Sequence, residues 1–479
     1  MVTGLALALL SVALLTLPVV NAQALMWTTV GSPTTNQLNS VYCVSPSDCW
    51  AVGKSNTIIQ FTGSSWATVT SPSDPSTDFR GVFCVSSSDC WAVGDNENTF
   101  AGTTVHWTGS SWGTVTNPAT LPINSVFCVS ANDCWAVGVA GKIFQWTGSW
   151  AIVTTVGNLF LGGVFCVSVS DCWTVGQSGN IFHWTGSSWG SVSSTTSDEL
   201  ASVYCVGASD CWAVGIHGAI IQWTGSSWAT VTGPGSFNDG NSVYCVNAND
   251  CWAVGTTIIQ WTGSSWATVA DPASSDLNSV FIDSGWAVGY SGTIIRGFPT
   301  TGSVATATGL GTATFSTSAG GFQSLTASAV GSVSPPPPSG LSFPDGLFSF
   351  TIVGLTPGQT VTVTITLPTA LPSGDFVYYK FQSAAWTQFP SASLDSTRTM
   401  VTLTLTADSN GVINDPGGPA ITPPVTTATT FAPVHQTPVG GVMLPSVGFT
   451  VLLPWVIVLS LLGVLSVEAF TIKRRAKRR

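Results

Sequence analysis

The sequence predicts an all-β protein: a seven-bladed β-propeller whose N-terminal strand closes the last blade, a second β domain after it, and one C-terminal transmembrane helix. Three observations lead there. Only 7% of the residues are charged, while 44% are hydrophobic and 50 are Gly, a composition that favours strands and tight turns over charged amphipathic helices. A unit of about 40 residues recurs along the first three hundred. An uncharged run, residues 447–467, precedes a basic tail.

At the N-terminus, residues 5–20 are apolar and end in Asn21-Ala22-Gln23-Ala24, with small residues where a signal peptidase cuts. Residues 1–24 are therefore expected to be a signal peptide. No Lys or Arg precedes Lys54, so an uncleaved anchor is the alternative, and both routes export the chain.

Residues 40–53 read SVYCVSPSDCWAVG, and the motif returns with first cysteines at Cys43, Cys84, Cys128, Cys166, Cys205 and Cys245. Each unit continues into a segment such as Ile58–Phe61, a Thr-Gly-Ser-Ser turn, and a segment such as Trp66–Val69. Four short strands in about 40 residues is the spacing of a propeller blade. A seventh unit, residues 279–295, lacks the fourth segment. Trp27–Val30 match that segment and have no first three of their own, so they are expected to complete the seventh blade. An open solenoid gives no reason for the split unit. The propeller is assigned to residues 25–299. Within a unit, alternation puts Cys49, Ala51 and Gly53 on one face and Trp50 and Val52 on the other. Large faces small, so the Trp face of one blade is expected to fill the Cys/Ala/Gly face of the next.

The twelve cysteines all stand in Cys-x5-Cys pairs, and the seventh unit lacks both members together. Each pair flanks a turn and can meet across a hairpin. In an exported chain this predicts disulfides Cys43–Cys49, Cys84–Cys90, Cys128–Cys134, Cys166–Cys172, Cys205–Cys211 and Cys245–Cys251. Zinc would need further repeated His or Cys ligands that the units do not carry.

The Asp before each second cysteine recurs as Asp48, Asp89, Asp133, Asp171, Asp210 and Asp250. Appearing once per blade, it reads as a cap of the hairpin turn. The polar position of the third strand runs Gln60, His106, Gln145, His183, Gln222, Gln260 and Arg296. If that position lines the channel or one rim, its amides, imidazoles and guanidinium form a ring suited to a polar ligand, and this is the candidate binding site. Asp95-Asn96-Glu97-Asn98 lengthen the second unit, and Lys142 and His217 sit in equivalent turns. They are expected to be solvated turns, with cation binding by the acidic insertion as the alternative. No paired carboxylates, Ser/His/Asp set, phosphate loop or metal motif stands at a suggestive spacing. No catalytic residue, metal or other cofactor is expected.

Residues 447–467 are long enough to span a bilayer, and Lys473–Arg479 behind them keep the tail of residues 468–479 cytoplasmic and the rest outside. Without that tail the chain carries 6 basic and 21 acidic residues, a net charge of −15. Such a surface excludes nucleic acid as a partner.

The Trp-Ala-Val-Gly-x-x-Gly-x-Ile motif of residues 135–143 and 286–294 resembles the propeller repeats of the photosystem II stability/assembly factor-like and BNR (Asp-box) superfamily. This chain has Thr62–Trp66 where the Asp-box would stand, so the resemblance implies the fold and a scaffolding or binding role, without sialidase chemistry. Residues 343–352, 355–368 and 410–419 are similar to the choice-of-anchor domains of prokaryotic surface proteins. That resemblance implies an immunoglobulin-like β-sandwich over residues 340–420, which display rather than turn over. The alternation in Thr360–Ile365 independently reads as a strand with one buried face. Asp408, Asn410 and Asp415 are expected to serve an Asx turn, with calcium binding as the alternative.

Residues 300–339 read as a Ser/Thr/Gly/Pro-rich connector that can include the first strands of the next domain, with Pro335–Pro338 as a stiff spacer. Residues 421–446 read as a Thr/Pro stalk. Leu444, Pro445, Ser446, Val447 and Gly448 resemble a sortase signal with Val in place of Thr, which would exchange the membrane anchor for a covalent one. The expected function is a cell-surface-anchored, non-catalytic binding, adhesion or envelope-scaffolding protein whose partner is a surface ligand, glycan or envelope protein. A propeller-type extracellular glycan-acting hydrolase or lyase is the alternative.

Overall fold

The computed structural model describes residues 22–422. The signal peptide apart from its last residues, the stalk beyond residue 422, the transmembrane or sorting segment and the basic tail lie outside the described residues. No described helix is long and apolar enough to cross a membrane.

Among the described residues, seven four-stranded antiparallel sheets lie between residues 25 and 299. The first consists of Leu38–Ser45, Asp48–Gly53, Thr57–Phe61 and Trp66–Thr68 in that order. Five more repeat the pattern. The last is assembled from Leu277–Phe281, Trp286–Gly289, Ile294–Pro299 and Leu25–Thr29. Its fourth strand is the N-terminal one, with Trp27 opposite Gly297 and Thr29 opposite Ile295.

Adjacent sheets are joined by side-chain clasps between their first strands. Asn39 Nδ2 donates to the Phe79 carbonyl at 2.7 Å, and the Val82 amide donates to Ser40 Oγ at 3.1 Å. The same two bonds join the last sheet to the first: Asn278 Nδ2 to the Leu38 carbonyl at 2.8 Å, and the Val41 amide to Ser279 Oγ at 3.1 Å. The ring is closed, and the sheets form a β-propeller with their first strands around its axis.

Packing between sheets follows the expected alternation. Trp50, Trp91, Trp135, Trp212 and Trp252 have no exposed surface. Trp50 crosses Trp112 of the next sheet edge-on at 5.2 Å and shares a core with Cys90 and Ala92 of that sheet. Trp27 takes the place of Trp112 against Trp252, at 5.8 Å. The glycine that follows Trp-Ala/Thr-Val in each second strand has its own steric reason. A Cβ on Gly53 or Gly215 would collide with the carbonyl of Gln37 or Glu199. Those carbonyls accept the amides of Lys54 and Ile216, tying the turn to the start of the first strand.

Two five-stranded sheets follow. One runs Thr301–Ala305, Thr312–Thr317, Thr360–Thr366, Met400–Thr406, Ala392–Leu394; the other runs Gly321–Ser328, Leu347–Val353, Ile413–Thr422, Asp375–Gln382, Ala385–Gln388. They bury one common core that includes Phe315, Phe348, Phe350, Val363, Tyr378 and Leu403. Val361, Val363 and Ile365 point into it while the intervening threonines do not. Residues 301–328, within the connector range, supply three of these strands. Pro335 is no free spacer, because its carbonyl accepts the Trp386 indole N–H at 2.8 Å.

Candidate functional site

All six cysteine pairs are disulfides, each joining residues directly opposite across the first hairpin of its sheet with Cα atoms 3.9 Å apart. There is no free cysteine.

The third-strand polar position does not form a ring around a cavity. Each residue lies in its own sheet, opposite the second-strand Trp, and is engaged there. Gln60, Gln145, Gln222 and Gln260 donate to Asp48, Asp133, Asp210 and Asp250 at 2.9–3.0 Å. His106 and His183 pair with Asp89 and Asp171 at 2.7 Å and stack on Trp91 and Trp173. Arg296, whose sheet lacks that Asp, lies over Trp286 at 4.8 Å and Phe298 at 5.1 Å instead. The repeated Asp is accordingly the acceptor for this residue rather than the cap of its turn. In three of the hairpins a serine hydroxyl caps the turn: Ser45 Oγ accepts the Ser47 amide, Ser86 Oγ the Ser88 amide and Ser168 Oγ the Ser170 amide.

The axis is lined by the first strands. Two adjoining cavities of about 300 and 150 Å³ share one residue from each sheet: Asn39, Arg80, Asn124, Gly162, Ala201, Asn241 and Asn278. The asparagines form the clasps between sheets, and Arg80, Gly162 and Ala201 replace them in three sheets. Asn124 is 9% exposed; its Nδ2 donates to the Leu161 carbonyl at 2.8 Å, and its Oδ1 has no partner. An unmet buried amide oxygen costs about 1–3 kcal/mol; the residue borders both cavities, while the oxygen itself is enclosed.

The wider end of this well is charged. Arg80 Nε donates to the buried Asp95 at 2.6 Å, and Lys54 lies 3.5 Å from the buried Asp78 and 3.8 Å from Glu97. The acidic insertion is a solvated turn at Glu97 and Asn98, as expected, but Asp95 at its base is buried and holds Arg80. Asp78, hydrogen-bonded and negatively charged beside it, raises the pKa of Glu97. Phe160 and Glu199 complete the mouth.

At the other end, three residues further along each first strand, stand Tyr42, Phe83, Phe127, Phe165, Tyr204, Tyr244 and Phe281. Their rings follow one another around the axis with centroids 4.5–4.9 Å apart, and Phe281 meets Tyr42 to close the circle. Burial, with a smaller contribution from Tyr204 and Asp283, pushes Tyr42 up to about 12. Burial raises Tyr204 and Tyr244 as well.

Elsewhere, Lys142 donates to Thr155, and His217 pairs with Asp198 at 2.9 Å on the surface. Asp408 Oδ1 accepts the amides of Asn410 and Val412, an Asx turn, while Asp415 is buried against Lys380 at 2.7 Å. Asp408, Asn410 and Asp415 thus have separate roles. Among the described residues no group of three His, Cys, Asp or Glu is placed to hold a metal ion.

No protein-family model and no curated protein matches the chain. Similar solved structures include YCF48 bound to a D1 peptide, at 17% identity and TM-score 0.47, covering 56% of this chain and 94% of that one. YCF48 from Cyanidioschyzon merolae matches at 15% and 0.47, over 56% and 98%. The WD40 β-propeller domain of Doa1 matches at 17% and 0.46, over 58% and 96%.

The well was missed from sequence because its signal is a variable column. Two residues before each Val-Tyr/Phe-Cys, the repeats read Asn39, Arg80, Asn124, Gly162, Ala201 and Asn241, with Asn278 at the matching place in the last. Alternation alone does not say which strand borders the axis.

Proposed function

We propose that the chain is a cell-surface-anchored, non-catalytic binding, adhesion or envelope-scaffolding protein, displaying a seven-bladed, disulfide-stapled propeller that takes its ligand in the axial well. The observation that carries this reading is the axial well itself, bordered by one residue from each of the seven sheets, four of them asparagines, with Glu199 at its mouth. A concave site with several convergent polar side chains is where a ligand is held.

The acids of the hairpins support binding over turnover, since each is held by the Gln or His of its own sheet. Asp78 and Glu97 approach within hydrogen-bond contact, closer than the roughly 5–10 Å that separates the paired carboxyls of glycan-acting hydrolases. Asp78 is engaged by Lys54 and by the Ser55 amide at 3.0 Å, which leaves it poorly placed to act on a substrate. Surface display rests on the apolar run 447–467 with its basic tail, and on the likeness of residues 340–420 to choice-of-anchor domains. The sorting-like residues 444–448 supply the covalent route as the alternative.

The test is to probe arrays of glycans and envelope peptides with the full detergent-solubilised chain, and to treat intact cells with protease. Retention of a ligand and release of the propeller from intact cells are expected. Release of acid or sugar products from the array, or a propeller protected inside the cell, overturns the reading.

A further inference from the structure

Among the ion pairs of the described residues, that of Lys380 and Asp415 is the most enclosed: the side chains are 18% and 0% exposed, and Lys380 Nζ lies 2.7 Å from Asp415 Oδ2. The strands Asp375–Gln382 and Ile413–Thr422 run antiparallel with Lys380 opposite Gly417, so Asp415 lies two residues along the same face. The glycine keeps the space between the two side chains open. A Cβ there would come within 2.6 Å of the Tyr379 carbonyl and 3.2 Å of Asp415 Oδ1. Aromatic rings surround the pair: Phe350 stands opposite Asp415 on the strand at its other side, Tyr378 lies two residues from Lys380, and Nζ is 3.9 Å from the Phe389 ring centroid. Phe350 and Tyr378 are themselves buried. The contact is not aligned as a hydrogen bond, and neither Asp415 oxygen has a partner of that kind. Burial raises the Asp415 pKa, and the Lys380 charge offsets only part of the rise.

We propose that Lys380 and Asp415 join in an intramolecular isopeptide bond. Burying two charges is costly, and one proton passed from Nζ to Oδ2 leaves a neutral amine in contact with a neutral carboxylic acid. The amine lone pair attacks Cγ. The N–C bond forms, the C–OH bond breaks, and one of the two amine protons leaves with the hydroxyl as water. No oxidant, metal or other reactant is consumed. Holding the two groups in contact supplies an effective concentration on the order of 10⁵ M or more. Lys380, Phe389 and Asn414 line a cavity of about 530 Å³ that gives the water a way out. The amide is uncharged, so its formation removes the cost of the buried ions. It also encloses residues 381–414, with the strand Met400–Thr406, in a covalent loop.

Tandem mass spectrometry of the full detergent-solubilised chain, reduced, alkylated and digested with chymotrypsin, tests the bond. A peptide carrying Lys380 is expected joined to one carrying Asp415, lighter than their sum by one water, in most molecules. Lys380→Arg keeps a charge beside Asp415 but has no amine to form this amide. That chain should lack the joined peptide, move more slowly than the parent on a reducing denaturing gel, and melt at a lower temperature. If the variant does not fold, the parent chain alone decides. Separate, unmodified peptides from the folded parent overturn the proposal, as does a joined peptide that survives in Lys380→Arg.

Discussion

Replacing Trp27 by Ala tests whether the N-terminal strand is part of the propeller core. Trp27 is 3% exposed, pairs with Gly297, and meets Trp252 edge-on at 5.8 Å. A tryptophan buries about 200 Å² of surface. At about 25 cal/mol per Å² the loss of that burial approaches 5 kcal/mol, and Trp→Ala changes in cores fall at about 3–5 kcal/mol. The expected loss is therefore about 4 kcal/mol, read as a lowered urea midpoint at unchanged slope. Trp66→Ala, at the equivalent place in the first sheet and 5% exposed, should cost about the same, while the exposed Thr29→Ala should cost under about 0.5 kcal/mol. A loss for Trp27→Ala below about 1 kcal/mol, with Trp66→Ala behaving as expected, would refute closure of the ring by this strand.

Replacing both Cys43 and Cys49 by Ala opens a seven-residue loop and is expected to cost about 2 kcal/mol in the chain-entropy account; chemical denaturation with and without reductant measures it. Ser279→Ala leaves the buried Val41 amide without its acceptor and should cost about 1–3 kcal/mol, seen as faster amide exchange at the junction of the last and first sheets. Asp345 is 1% exposed with neither oxygen hydrogen-bonded, and burial raises its pKa to about 6. Its folded pKa lies above the unfolded value of 3.8, so the folded form holds the proton more tightly and this carboxyl's contribution to stability falls as pH rises between the two. Asp345→Asn should therefore stabilise the chain at pH 7.5 by as much as roughly 3 kcal/mol and have little effect at pH 4, as paired melting curves would show.

The repeat made most of the propeller readable, because a blade is a local object. Strand lengths, the turn between Cys43 and Cys49, and the alternation that buries Trp50 on one face and Cys49 on the other all follow from neighbours in sequence. The split last sheet was readable too, since a missing fourth strand at residue 295 and an orphan one at Trp27 explain each other. The polar residue of the third strand misled because its partner is in the same sheet: Asp48 on the second strand receives Gln60 of the adjoining third strand. A polar residue recurring in every repeat is more readily explained by a bond inside the repeat than by a shared ligand.

By itself the sequence determined the strand content, the repeat unit, the disulfide pairs, the facing of large side chains against small ones, and the split last sheet. These depend on alternation and on contacts within one hairpin or between consecutive units. Only the tertiary structure decided which strand borders the axis, and hence that Asn39, Arg80, Asn124, Gly162, Ala201, Asn241 and Asn278 share one well. It alone brought Phe281 back to Tyr42 to complete the aromatic circle. Residues some 240 apart meet there because the ring closes, and no local pattern encodes the side chains that closure brings together at its centre.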